Sequence, residues 1–185
     1  MYSSVHDLSG FEHLSPAAKC KAILTEVRAY VEIDKLLLSE LRLPLLYESG
    51  VRYEFQGDVD RWKDAYGCLM TGKGSCNSLA AWRTAELQLY GEDASPYVQH
   101  QRVQRPDGSV MDLFHVIVRR GSALPDDHPQ AWDDPSRGLG MPANDPSMQG
   151  ARVVSAAGPI VTVGDAGAFV GAGFGEDVGA PCWGD

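Results

Sequence analysis

The sequence has too little positive charge for a nucleic-acid surface. It carries 16 Lys and Arg against 25 Asp and Glu in 185 residues, giving a formal net charge of −9 and a pI near 4.9. Phosphate binding requires a concentrated basic surface, and the basic residues are instead spread along the chain. We therefore expect neither nucleic acid nor a membrane as a partner.

Long apolar runs and metal-ligand patterns are also missing. No stretch reaches membrane-spanning length, and residues 1–10 lack the basic start and apolar core of a signal peptide, so we expect a cytoplasmic protein. The four cysteines, Cys20, Cys68, Cys76 and Cys182, show no Cys-x-x-Cys spacing and no histidine at zinc-ligand spacing. We expect free thiols, no structural metal, no disulfide framework and no cofactor.

Cys76 lies in the most informative stretch of the chain. Gly72 and Gly74 permit a tight turn, Ser75 is a good N-cap, and apolar residues then recur with helical spacing as far as Gly91. The first turn of a helix favours the nucleophilic thiolate, because its backbone N–H groups and the helix dipole stabilise negative charge. A free cysteine is otherwise usually a small buried apolar residue, so this stretch alone leaves both interpretations open.

The elements on either side are predicted from apolar spacing. Residues 15–41 carry a helical apolar stripe, residues 43–55 indicate a loop with a short extended piece, and residues 58–70 predict a second helix. After the cysteine helix, residues 97–104 and 110–119 predict a β-hairpin around a turn cluster.

The second hairpin strand carries His115. Both faces of this strand are apolar, which indicates a central strand and places His115 inside the protein. Such a histidine is usually a structural core residue unless it has a partner.

Asp133 and Asp134 follow at the predicted end of a third short strand, although Asp-Pro-Ser is also a common turn opener. Cys76, His115 and Asp134 would supply nucleophile, base and orienting carboxylate, with a backbone N–H for the oxyanion.

Four stretches occur in a characteristic order along the middle of the chain. They are PLLYESGVRY at 44–53, GKGSC at 72–76 with LAAWRTAEL at 79–87, HVIVRR at 115–120 and DPSRGLGM at 134–141. The order and content of these stretches resemble transglutaminase-like proteins of the papain-like cysteine protease superfamily, more narrowly the small members encoded in bacteriophage and actinobacterial genomes.

The resemblance implies an α+β fold in which N-terminal helices and a cysteine-bearing helix pack on a small antiparallel sheet. It assigns Cys76, His115 and Asp134 to nucleophile, base and orienter, with Asp133 and Asp112 as alternatives for the carboxylate. The sequence departs from many relatives after the cysteine, where Asn77 replaces an acidic residue.

The other histidines are judged from the predicted hairpin register. If the turn at 105–109 closes the hairpin, Gln99 lies opposite His115 and His100 points to the other face. His100 is then not the base. His128 lies in a polar loop and is predicted to be solvated.

Three segments are predicted: an N-terminal helical segment (1–42), a catalytic core (43–141) and a Gly/Ala-rich tail (142–185) that is flexible or docked on a partner. Within the tail, residues 152–155 and 160–163 are short runs that predict strands added to a sheet edge of this protein or of a neighbour.

The predicted function is a cysteine-dependent acyl-transfer enzyme, a hydrolase of peptide or isopeptide amides with a protein or peptide substrate. The alternative is a structural or virion-associated protein that keeps the fold with an idle triad. The three triad residues do not by themselves separate these two functions.

Overall fold

The computed structural model describes residues 2–7, 13–56, 59–142 and 152–157, and these form a mixture of helices and small sheets of the predicted α+β class. A 3-10 turn lies at Leu46–Glu48. The other elements are β1 (Ser3–Asp7), α1 (Pro16–Leu41), β2 (Arg52–Tyr53), β3 (Val59–Lys63), α2 (Ala65–Thr71), β4 (Lys73–Gly74), α3 (Cys76–Leu89), β5 (Ala94–Gln104), β6 (Val110–Arg120), β7 (Trp132–Asp133), α4 (Pro135–Gly138) and β8 (Arg152–Ala157).

The largest sheet has the strand order β7-β6-β5-β8 and is antiparallel throughout. The predicted hairpin is confirmed: β5 and β6 pair with Gln99 opposite His115, and the Arg105 N–H donates to the carbonyl of Ser109 across the turn. Both hairpin strands are central, which explains why β6 has apolar residues on both faces. Two smaller pairs, antiparallel β1-β3 and parallel β2-β4, lie outside this sheet.

Helices α1 and α3 pack on each other and on the hairpin strands. Helix α1 begins as predicted, with Ser15 as the N-cap accepting a hydrogen bond from the Ala18 N–H. Burying each large aliphatic side chain stabilises the fold by about 1.5–3 kcal/mol, so this shared core fixes the cysteine helix against the sheet. Buried members of this core include Cys20, Val27, Tyr30, Val31, Ala80, Ala81, Ala85, Val98, Val116 and Val118.

A second cluster of buried residues lies behind the turn that precedes Cys76. It packs the 3-10 turn, α2 and α3 against one another, and this packing holds the first turns of α3 in place. Its buried members are Leu46, Val51, Ala65, Cys68, Leu79 and Trp82.

The predicted helix over residues 58–70 is wrong in its first half. Residues 59–63 form β3, which pairs with β1, and only the later residues form α2. Asp64 separates the two elements: it is extended, and its carboxylate accepts a hydrogen bond from the Gly67 N–H at 2.5 Å as the N-cap of α2. The apolar residues with helical spacing therefore lie on both sides of a helix N-cap. The pairing of β3 with β1 joins residues more than fifty positions apart, so the local sequence gives no signal for it.

One of the two predicted tail strands lies within the described residues. The run at 152–155 falls within β8, which pairs with β5 at the edge of this protein's own sheet, with Arg102 opposite Ser155. The run at 160–163 and most of the predicted tail lie outside the described residues. In the part of the chain that the structure describes, no helix has the length and apolar character needed to cross a membrane.

Gly74 is required for space rather than for backbone freedom. A Cβ atom at this position would lie 2.8 Å from Leu79 Cδ2 and 3.0 Å from Cys68 Sγ, both in the cluster behind Cys76. We expect Gly74→Ala to destabilise the protein by about 1–3 kcal/mol, since overpacking forces neighbouring side chains to shift. Thermal unfolding measures the loss, and adding Leu79→Val should reduce the penalty of the alanine. Equal penalties in both backgrounds would contradict the proposed steric cause.

Candidate active site

The turn before Cys76 is built by two glycines with different roles. Gly72 has a left-handed backbone, with φ of 68°, and ends α2. Gly74 then places β4 beside β2, and Ser75 stands in the predicted N-cap position of α3, although its side chain makes no capping hydrogen bond. Helix α3 begins at Cys76 itself. Among the described cysteines, Cys76 is partly exposed whereas the other two are buried.

The first turn of α3 is also tied to the neighbouring strand. The Lys63 N–H of β3 donates a hydrogen bond to Ser78 Oγ at 2.9 Å, and Ser78 is 1% exposed. Ser78 therefore fixes the helix start from which the Cys76 side chain projects. This hydrogen bond joins β3 to α3. The one sequence feature that pointed to it is the serine two residues after Cys76.

His115 joins the cysteine helix to the acidic turn. Its Nε2 atom lies 2.9 Å from Asp134 Oδ2, and the two side chains are 13% and 9% exposed. The Cys76 side chain is the other hydrogen-bond partner of the imidazole. The structure thus brings the three residues of the predicted constellation into direct contact, with the imidazole between thiol and carboxylate.

The surroundings of His115 favour the imidazolium. Burial opposes the charged form, but the hydrogen bonds and the charges of Asp134 and Cys76 outweigh it and raise the pKa of His115 to about 10. An imidazolium donates from both ring nitrogens, so it can hold a thiolate on one side and a carboxylate on the other. This protonation pattern is the one that a thiol nucleophile needs.

Asp134 is held by the turn that follows β7. It has an extended backbone and is the N-cap of α4, where its Oδ1 accepts from the Arg137 N–H at 3.2 Å, and Pro135 fills the first helical position. The Asp-Pro-Ser sequence is therefore a turn opener, as its composition suggests, and the same geometry directs Oδ2 at His115. Asp134 thus caps α4 with one carboxylate oxygen and pairs with His115 through the other.

Asp133, the first alternative carboxylate, is bound by Arg83 and Tyr47 rather than by the imidazole. Its Oδ2 accepts from Arg83 Nε at 2.8 Å and its Oδ1 accepts from the Tyr47 hydroxyl at 2.5 Å. Sequence reasoning missed this network. Arg83 has buried neighbours on both sides in α3, but that burial is seen only in the structure, so the sequence carried no local signal for the network.

Asp112, the second alternative, belongs to a separate histidine pair. It accepts a hydrogen bond from His100 Nε2 at 2.9 Å and lies 3.6 Å from Lys19 Nζ of α1. His100 also stacks on Phe114, with 5.0 Å between ring centroids. As predicted from the register, His100 is on the face opposite His115; His128 is a partly exposed loop residue.

The site carries no further ligand set within the described residues. No three His, Cys, Asp or Glu side chains in those ranges are grouped so as to hold a metal ion. Comparisons with protein-family models, curated proteins and solved structures gave no match to this chain.

His115 should keep its proton far above the usual range. We expect its NMR signals to titrate near pH 10 rather than near about 6.5, the value of an unperturbed histidine. Asp134→Asn and Cys76→Ala should each lower this midpoint, because burial then acts with less opposition. Asp112→Asn, which removes a carboxylate from the other histidine pair, is the control and should leave the His115 midpoint unchanged. A wild-type midpoint at or below about 6.5 would contradict the proposed pairing.

Proposed function

We propose that the protein is a cysteine-dependent acyl-transfer enzyme, most simply a hydrolase of peptide or isopeptide amides. The observation that supports this proposal is the placement of His115 between Cys76 and Asp134, with the imidazolium favoured. A buried histidine needs a partner at each ring nitrogen. Here the two partners are a carboxylate and a thiol at the start of a helix, which is the pair that cysteine nucleophile chemistry uses.

The chemistry follows from these positions. The Cys76 thiolate attacks the carbonyl carbon of the substrate, and backbone N–H groups of the first turn of α3 stabilise the oxyanion. The His115 imidazolium gives its proton to the departing amine as the C–N bond breaks, which leaves a thioester on Cys76. Neutral His115 then takes a proton from water, the resulting hydroxide equivalent attacks the thioester, and the acid is released with the thiol site restored. Asp134 orients the imidazole and stabilises its charge throughout.

The sequence motifs around these residues resemble transglutaminase-like proteins of the papain-like superfamily, and we extend the proposal to that fold group. The resemblance favours hydrolysis over crosslinking, because the small microbial relatives resemble proteases. Protein or peptide substrates are therefore proposed, in the cytoplasm or, for a phage-encoded chain, in the virion.

The proposal is tested with a simple acyl donor, p-nitrophenyl acetate. We expect a burst of p-nitrophenol with acetyl transfer to Cys76, detected by mass spectrometry of the digested protein. Cys76→Ala should abolish both signals, although Cys20 and Cys68 remain, since those thiols are buried. Excess primary amine distinguishes the two outcomes of the thioester: acetate indicates hydrolysis, and an acetamide indicates transamidation.

The rival function is a structural or virion-associated protein that keeps this fold with an idle triad. It predicts no burst, and acetylation of Cys76 no faster in the native protein than after unfolding. That result would overturn the enzymatic proposal while leaving the fold as described.

A further inference from the structure

Asp134 is carried on a short turn that needs external support. Strand β7 has two residues and pairs with β6 through Val118 opposite Asp133 and Arg119 opposite Trp132, with one further backbone hydrogen bond from the Arg120 N–H to the Ala131 carbonyl. Helix α4 has four residues. Elements this short do not hold a side chain in a fixed position by themselves. The position of Asp134 therefore depends on what binds the turn on either side of it.

The residue before Asp134 is bound directly to the cysteine helix. Arg83 of α3 donates from Nε to Asp133 Oδ2 at 2.8 Å and from Nη1 to Glu86 Oε2 at 3.1 Å. These side chains are well shielded, with 17% of Arg83, 12% of Asp133 and 1% of Glu86 exposed. A planar guanidinium in such a setting holds two carboxylates at fixed positions, which a flexible lysine cannot do.

The 3-10 turn closes the network. The Leu46 N–H donates to Glu86 Oε1, and the next residue, Tyr47, donates its hydroxyl to Asp133 Oδ1 at 2.5 Å. The Arg83 guanidinium lies over the Tyr47 ring, 5.0 Å from its centroid. The hydrogen bonds thus form a closed ring through three elements, and both oxygens of Asp133 are occupied.

The Tyr47 ring also covers the residues after Asp134. A Cβ atom placed on Gly138 of α4 would lie 2.9 Å from Tyr47 Cε1, so the ring packs directly on the backbone of α4. The turn is thus held before Asp134 by Arg83 and Tyr47 and after it by the Tyr47 ring.

We propose that Arg83, together with Tyr47, is a positioning residue that fixes Asp134 against His115 by binding the adjacent Asp133. Helix α3 then positions two members of the triad. It carries Cys76 at its first residue, and through Arg83 and Asp133 it holds Asp134, the carboxylate that orients the base. This inference rests on the proposed function for its catalytic consequence, but its structural content concerns the contact between His115 and Asp134 and can be measured without turnover.

Arg83→Met tests the inference because it keeps the aliphatic stem and removes the charge and the donors. We expect the His115 NMR titration midpoint to fall and Cys76 acetylation by p-nitrophenyl acetate to slow by up to about a hundredfold, the cost of a misplaced catalytic group. Arg83→Lys should recover only part of the rate. Tyr47→Phe, which removes a single hydroxyl, should slow acetylation between about twofold and tenfold, the range of one hydrogen bond.

The control is Arg120→Met. Arg120 lies on the same strand as His115, and its replacement breaks an ion pair with Glu92 at the surface. It should change neither readout. In an Asp134→Asn background, Arg83→Met should have no further effect on either readout, because the route through the carboxylate is already lost.

Any of three results would overturn the inference. The His115 midpoint could be unchanged in folded Arg83→Met and Tyr47→Phe. Arg83→Met could have the same effect in the Asp134→Asn background as in the wild type, or Arg120→Met could have the same effect as Arg83→Met. If Arg83→Met does not fold, because it leaves Glu86 buried without its cation, Tyr47→Phe decides alone. A protein without acetylation whose His115 midpoint still falls in the variants would refute the enzymatic function and retain the positioning role.

Discussion

Asp134→Asn is expected to slow Cys76 acylation by up to about ten-thousandfold, by analogy with serine triads. The capping bond determines the orientation of the new amide. Its oxygen must still accept from the Arg137 N–H, so the NH2 group faces His115, where it cannot accept the proton of Nε2. The imidazole then favours the wrong tautomer, and the negative charge that stabilises the imidazolium is gone. Burst amplitude and rate with p-nitrophenyl acetate measure the effect.

The matched control is Asp112→Asn. This carboxylate lies at the same 2.9 Å from a histidine Nε2 atom, but the histidine is His100 and no cysteine is involved. Acylation should be unchanged there. Asp133→Asn should have an effect well below that of Asp134→Asn; the reverse order would show that the carboxylate was assigned one residue too late.

His115→Ala is expected to slow acylation by about a hundredfold to ten-thousandfold, the usual contribution of a general acid–base residue. The loss should be largest at low pH, because the raised pKa of His115 means that the wild type retains its imidazolium from acidic pH up to about 10. Above that pH the wild type loses the proton as well, and the two proteins should converge.

His100→Ala provides the control for His115→Ala, since it removes an equally well-paired histidine from the opposite face of the same sheet. It should leave the acylation rate within about twofold of wild type, within the range of small distant effects. Equal losses in the two variants would show that the sheet, rather than the imidazole beside Cys76, controls the rate.

The parts of the site that local sequence rules govern were predictable. Gly72 and the apolar spacing after Cys76 specify a helix start, with Ser75 in the N-cap position but without a side-chain capping bond. The turn at 105–109 fixes the hairpin register that separates His115 from His100. These features depend on neighbours within a few residues, where turn and capping preferences act.

The contacts that support the site were not predictable in this way. Arg83 meets Asp133 across 50 residues and Tyr47 meets Asp133 across 86, and nothing in the local spacing of any of the three indicates the pairing. The helix wrongly predicted over residues 58–70 has the same origin, because the pairing of β3 with distant β1 overrides a locally helical spacing.

The central claim, that Cys76 is a nucleophile paired with His115, is tested most directly by the pH dependence of Cys76 alkylation with iodoacetamide in the native protein. An ordinary thiol becomes unreactive below its pKa of about 8.5. We expect Cys76 to react well below that pH in the wild type and to lose this reactivity in His115→Ala, while buried Cys20 and Cys68 stay unlabelled in both. Equal rates of Cys76 alkylation at acidic pH in the wild type and in His115→Ala would contradict the pairing.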